Sequence, residues 1–189
     1  AAASKGVAIQ PESPDAQLCL STILYLVGKF QQALMHCDIA LKIQPLNCRA
    51  LRQRSRCLQD LGRLDEALAL LDELVRIEEQ EDVDTLCIRA DIHVLRGDIE
   101  AAKSVLARID SAERLHPPLE YHLIQARIAQ EEHRWSDGLA HCESAYWTAP
   151  DDPKARYRLA EHLLMMGDTS RGWPLYESRR DLKENPPFA

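Results

Sequence analysis

The sequence predicts an all-α chain built from repeated helix–turn–helix units, and three observations carry that prediction. Leu, Ala, Glu, Arg and Asp dominate, while glycine is scarce at 7 residues and aromatics make up only 5%. Such a composition favours helices and lacks the β-branched runs that strands prefer. A glycine-centred turn recurs at near-constant spacing along the chain. Around each turn the apolar residues follow a 3.6-residue period, as in Leu64, Leu68, Leu71 and Val75.

The first turn is Leu26-Val27-Gly28-Lys29-Phe30, and the second, Asp60-Leu61-Gly62-Arg63-Leu64, places its glycine 34 residues on. Leu95-Arg96-Gly97-Asp98-Ile99 follows after 35 more. From Gly97 to Gly167, in Met165-Met166-Gly167-Asp168-Thr169, the step is 70, which leaves room for two units. The missing turn is His133-Arg134-Trp135, 36 residues after Gly97 and 34 before Gly167. Three residues beyond the last residue of each turn stands a small residue: Ala33, Ala67, Ala102, Gly138 and Gly172. Seven residues further come Ala40, Leu74, Ile109, Ala145 and Arg179. Units close with Pro45, with Pro117-Pro118 and with Pro150. Each unit therefore reads as helix, glycine turn, helix, proline exit. Glycine supplies the left-handed helix end, and proline stops the second helix.

This pattern resembles the tetratricopeptide repeat family over nearly the whole chain. The resemblance implies a right-handed α-solenoid of about five units, with the small residue after each turn letting two helices approach closely. The units are placed at about 14–47, 48–82, 83–118, 119–152 and 153–186. Val7-Ala8-Ile9-Gln10-Pro11 matches Leu41-Lys42-Ile43-Gln44-Pro45, so residues 1–12 read as the tail of a truncated upstream repeat. The chain opens without Met, and residues 187–189 leave the last helix without a polar capping helix. Repeat arrays need capped ends, so the expectation is a piece of a longer protein. Gly167-Asp168, Arg171-Gly172-Trp173 and Tyr176-Glu177-Ser178-Arg179 also look like a G-D-x-x-x-G-W-x-x-Y-E-x-R signature. In bacterial proteins that signature closes tetratricopeptide arrays, often before a glycosyltransferase-like domain. Arg180 stands where the signature usually continues with Trp, and Trp173, Tyr176 and Arg179 on one helix face also fit simple packing against the core.

Composition excludes several function classes. Lys+Arg 23 against Asp+Glu 30 gives a net charge of -7, which disfavours a polyanion such as nucleic acid as partner. No apolar stretch is long enough to span a membrane, and the first ten residues lack the apolar core of a secretory signal. There is no GxGxxG and no GxxxxGK[ST], so no nucleotide cofactor is expected. The six cysteines Cys19, Cys37, Cys48, Cys57, Cys87 and Cys142 show no CxxC and no zinc-finger spacing. They are expected to be buried, reduced thiols, which places the protein in the cytoplasm. His133, His141 and Cys142 do not have metal-ligand spacing, Glu161-His162 point to different faces, and no serine sits in a nucleophile elbow. No catalytic residue, metal or cofactor is expected.

A ligand is then expected to lie on the first helices of the units, whose second, fifth, ninth and twelfth positions point into the groove in the family. Those positions hold Asp15, Leu18, Thr22 and Tyr25 in the first unit, then Arg49, Arg52, Arg56 and Gln59. The third unit offers Asp84, Cys87, Asp91 and Val94 there, and Arg127 and Tyr157 hold such positions in the fourth and fifth. Arg49, Arg52 and Arg56 form one stripe at spacings of 3 and 4. Like charges there repel by a few tenths of a kcal/mol per pair. Guanidinium forks suit carboxylates or phosphates; the stripe reads as a clamp for an acidic or carboxylate-ended peptide, or as three charges neutralised by Asp84 and Asp91. The clamp that some family members close on chaperone C-termini needs Lys and Asn where Leu18 and Thr22 stand, and is rejected. The expected function is protein–protein interaction, with Arg49, Arg52, Arg56, Asp91, Arg127 and Tyr157 contacting an extended or helical peptide. The alternatives are a regulatory or acceptor-binding segment of a glycosyltransferase-like enzyme, and a scaffold that self-associates through its ends.

Overall fold

The computed structural model describes residues 13–109 and 117–177. The expected upstream tail at 1–12, Arg179 and residues 187–189 lie outside the described residues. Among the described residues the chain forms ten helices. They are α1 (Pro14–Leu26), α2 (Phe30–Ile43), α3 (Cys48–Asp60), α4 (Leu64–Glu78) and α5 (Val83–Leu95), followed by α6 (Ile99–Ala107), α7 (Leu119–Glu131), α8 (Trp135–Thr148), α9 (Pro153–Met165) and α10 (Thr169–Tyr176). The fold is the all-α array of helix–turn–helix repeats that the sequence predicts, with α1 packed on α2, α3 on α4, α7 on α8 and α9 on α10.

Five turns share one hydrogen-bonding scheme. After α3, Gly62 N–H donates to the Gln59 carbonyl and Arg63 N–H to the Leu58 carbonyl, both at 2.9 Å. The same pair of bonds recurs at Gly28, Gly97 and Gly167. It satisfies carbonyls that the last helical turn would leave orphaned, and it demands a left-handed residue. The four glycines hold φ between 73° and 86°. In the fourth unit His133 takes that place at φ 58°, with its own N–H on Gln130 and Arg134 N–H on Ala129. The turn survives there without glycine because histidine tolerates the left-handed region better than branched residues do.

Helix starts are capped by short polar side chains. Ser13, Asn47, Asp82 and Asp152 accept from the backbone N–H three residues on, at the starts of α1, α3, α5 and α9. Each such cap contributes about 1 kcal/mol. Pro14 and Pro153 occupy the first helical turn, where a missing N–H costs nothing.

The chain divides into two compact units, 1–92 and 93–189. In the first, the core is formed by Leu51, Leu58, Leu70, Leu71, Leu74, Ile88 and Ile92 around Ala33 and Ala67. Ala33 and Ala67 are fully buried, and the Ser21 and Ser55 hydroxyls donate to their carbonyls at 2.9 and 3.1 Å. In the second unit, Cys142, Leu159, Leu163 and Ala126 form a core against Leu139, Tyr146 and Leu175. A Cβ on Gly138 would lie 2.8 Å from His162 Nε2, and one on Gly172 would lie 2.7 Å from the Leu164 side chain. The small position after each turn is thus set by what lies across it.

All six cysteines are free thiols. Cys37, Cys57, Cys87 and Cys142 are buried as expected, but Cys19 is exposed and Cys48 is half-buried against the core of the first unit. Burial pushes the Cys142 thiol up to about 12. No described helix is long and apolar enough to cross a membrane.

Candidate functional site

Within the first unit, α1, α3 and α5 line an open pocket of about 160 Å³. Helix α1 contributes Leu18 and Thr22, α3 contributes Arg49, Arg52, Gln53 and Arg56, and α5 contributes Asp84. The stripe of arginines lines one wall because spacings of 3 and 4 keep side chains on one helical face. Six of the seven lining residues are positions expected to face a ligand; Gln53 is the one that the pattern missed.

The three arginines are not equivalent. Arg52 donates to Asp82 at 2.7 Å, to Glu78 at 3.2 Å and to the Thr85 hydroxyl at 3.3 Å. The neutralisation by Asp84 and Asp91 anticipated from the sequence is therefore not what forms. The Arg52 counter-charges come from the end of α4 and the start of α5, and Asp91 instead accepts from the Gln59 amide. Arg49 and Arg56 make no ion pair or hydrogen bond among the described residues. Arg49 is exposed, Arg56 half-buried and Asp84 exposed.

Two further polar groups shape the wall. The Thr22 hydroxyl donates to the Leu18 carbonyl at 2.9 Å, so its oxygen is left as an acceptor. Gln53 Nε2 is buried with no hydrogen-bond partner. An orphaned buried amide nitrogen costs about 1–3 kcal/mol.

Asp91 belongs to the first unit but is engaged with Gln59 rather than lining the cavity. Arg127 and Tyr157 belong to the second unit. Arg127 is half-buried on α7. The Tyr157 ring packs on Tyr176 at 5.6 Å, and burial with the Glu161 carboxylate pushes its hydroxyl up to about 12. Trp173 packs edge-on to Tyr176 and stays 56% exposed, so it is not the buried core plug that simple packing would require.

Histidine pairing across helices was also illegible in the sequence. His122 and His141 place their Nδ1 atoms 3.4 Å apart, and burial pulls both below the usual histidine range. His162 is buried, with Nδ1 3.3 Å from Cys142 Sγ and 3.1 Å from the Arg158 carbonyl, and burial lowers it too. Among the described residues no group of three or more His, Cys, Asp or Glu is arranged to hold a metal ion.

Successive helix pairs make a helical-repeat fold, and the comparisons agree with that fold. The family profile of the anaphase-promoting complex (cyclosome) subunit 3 matches residues 1–74. No curated protein sequence matches the chain significantly. Among solved structures, the thermophilic tetratricopeptide repeat protein TTC0263 of Thermus thermophilus is 25% identical at a TM-score of 0.73, covering 93% of each chain. YrrB, a tetratricopeptide repeat protein with an unusual peptide-binding site, is 16% identical at a TM-score of 0.54, covering 96% of this chain and 92% of its own. A chain of the Cut9–Hcn1 hetero-tetramer of the anaphase-promoting complex is 14% identical at a TM-score of 0.73, over 93% of this chain and 35% of that one. These likenesses show the fold of tetratricopeptide repeat proteins.

Proposed function

We propose that the chain binds an acidic protein segment on the surface formed by α1, α3 and α5, with Arg49 and Arg56 as the contacting cations. The observation that carries this reading is the cavity itself. It gathers two arginines that have no partner and an orphaned amide on one wall. A folded protein gains nothing from aligned, unpaired guanidinium groups on one helix, whereas a ligand carboxylate satisfies them with charge-assisted bonds. The preformed helices keep the ordering cost on the ligand's side. Arg127 and Tyr157 are proposed as contacts of the second unit with the same class of ligand. A glycosyltransferase-linked role draws no support from the relatives named above.

The test is capture of partners on the immobilised chain, followed by titration of the captured protein against wild type and Arg49→Glu/Arg56→Glu. Affinity is expected to fall with salt, since exposed charges are screened over about 8–10 Å at physiological ionic strength. The double substitution is expected to cost more than about 1 kcal/mol of binding. Equal affinity for wild type and variant overturns the reading.

A further inference from the structure

We infer that His122 and His141 form a two-armed site for a divalent ion that prefers imidazole, zinc being the type case, which joins α7 to α8. The site lies within the second unit and does not depend on the binding function proposed above.

The spacing gives the first argument. His122 stands on α7 and His141 on α8, two helices packed as one pair. Their Nδ1 atoms are 3.4 Å apart, with ring centroids at 5.7 Å and ring planes at 42°. Two nitrogens on one tetrahedral ion stand about 3.4 Å apart when each metal–nitrogen bond is about 2.0–2.1 Å. The helix pair therefore already holds the two donors at the distance a chelate needs. The centroids lie farther apart than the nitrogens, so the rings point toward each other. Each ring has only to turn about its own side-chain bonds to aim its lone pair at an ion beside the line between them. Both residues are half-buried, which leaves an ion a way in from solvent.

The weakness of the present contact gives the second argument. Neither imidazole makes another hydrogen bond among the described residues. As a hydrogen bond the contact is poor, since an N–H donor usually sits about 2.7–3.2 Å from its acceptor. Packing does not require the two polar edges to meet. Tyr121 touches His122 edge-on, and its hydroxyl accepts from the Gln125 amide rather than serving either histidine. An ion replaces one long N–H···N contact by two coordinate bonds, and each neutral ring then carries its proton on Nε2.

The donor set selects the class of ion. Imidazole suits zinc, copper and nickel, whereas magnesium and calcium take oxygen ligands. The pair belongs to no group of three or more such ligands among the described residues. Asp137, one turn before His141 on α8, is paired with Arg134 at 2.5 Å. Two protein ligands leave a tetrahedral ion with two open positions, to be filled by water or an outside ligand. Structural zinc centres, by contrast, are closed by four protein ligands. Binding here is accordingly reversible and weaker than at such a centre.

The experiment uses the whole chain, labelled with ¹⁵N, and follows the histidine ring nitrogens. The probes are zinc chloride and, as the oxygen-preferring control, magnesium chloride. Zinc should shift the His122 and His141 ring signals together, saturably and with one ion per chain, and a chelator should reverse the shift. Magnesium should move neither ring. His122→Gln and His141→Gln should each weaken zinc at this site by at least the roughly tenfold that losing even a residue behind the ligands costs. The double variant should lose little more than either single one, because a chelate broken at one arm is already lost. Circular dichroism without zinc checks that the variants keep their helices, and the wild-type ring shifts stand as a test whatever the variants do. No saturable shift up to millimolar zinc, a shift of one ring only, an equal response to magnesium, or undiminished zinc affinity in either folded single variant overturns the inference.

Discussion

In the first unit each tight crossing pairs an alanine with a serine: Ser21 bonds the Ala33 carbonyl and Ser55 the Ala67 carbonyl. In the second unit the equivalent residues are Ala102 and two glycines beneath bulky neighbours, with His162 over Gly138 and Leu164 over Gly172. The difference teaches that the repeat does not fix a residue at the small position; its neighbour does. A hydroxyl reaching for the backbone leaves room for one methyl, whereas an imidazole ring leaves none. The two units also differ in their buried histidines. His122, His141 and His162, all lowered by burial, lie in the second unit, while the first holds only His36 of this kind.

The largest effect expected from this contrast is steric. Ala67→Leu adds volume at a fully buried crossing and should cost about 1–3 kcal/mol. The same change at exposed Ala69 should be close to neutral. Gly138→Ala adds one methyl yet should cost a comparable amount, because its Cβ would stand 2.8 Å from His162 Nε2. Thermal melts in a His162→Ala background decide the cause. Most of the Gly138→Ala penalty should vanish there, and an undiminished penalty would mean that the ring is not what excludes the methyl.

A smaller effect is expected from acid. Burial lowers these histidines, so the folded state resists protons that the unfolded chain accepts. Their contribution is whole above the unfolded value of about 6.5 and is lost as pH falls through the lowered folded values. The second unit should therefore lose stability below about pH 6.5 before the first does. Hydrogen exchange at neutral and mildly acidic pH reads this directly: protection in α7, α8 and α9 should drop while that in α3 and α4 holds. A uniform loss across both units would count against the burial argument.

The repeat architecture was legible in the sequence because turns and crossings are local. Glycine at 28, 62, 97 and 167 is favoured by the left-handed φ of the turn, and the 3.6-residue period reports burial. His133 could be placed as a turn from spacing, although residue type gave no hint of its left-handed backbone. The arginine stripe was legible for the same local reason. Its division was not, because the partners of Arg52 are Glu78 and Asp82, 26 and 30 residues away at a helix–helix junction. Gln53 was missed because a glutamine one residue from an arginine looks like solvated surface until its amide is found buried. The His122–His141 and Cys142–His162 contacts join different helices and have no signature in linear spacing.

The central claim is that neighbouring arginines on one helical stripe do different work: Arg52 holds the fold, and Arg49 and Arg56 are left for a ligand. The most direct measurement is a set of thermal melts of Arg52→Gln and of Arg49→Gln/Arg56→Gln, each at low and high salt, with no ligand present. Arg52→Gln should lose about 0.5–1 kcal/mol, since its ion pairs are partly exposed, and the loss should shrink as salt rises. Arg49→Gln/Arg56→Gln should melt with the wild type or a few tenths of a kcal/mol above it, because only like-charge repulsion is removed. Equal destabilisation by the two variants would contradict the account, for it would mean that all three arginines are structural.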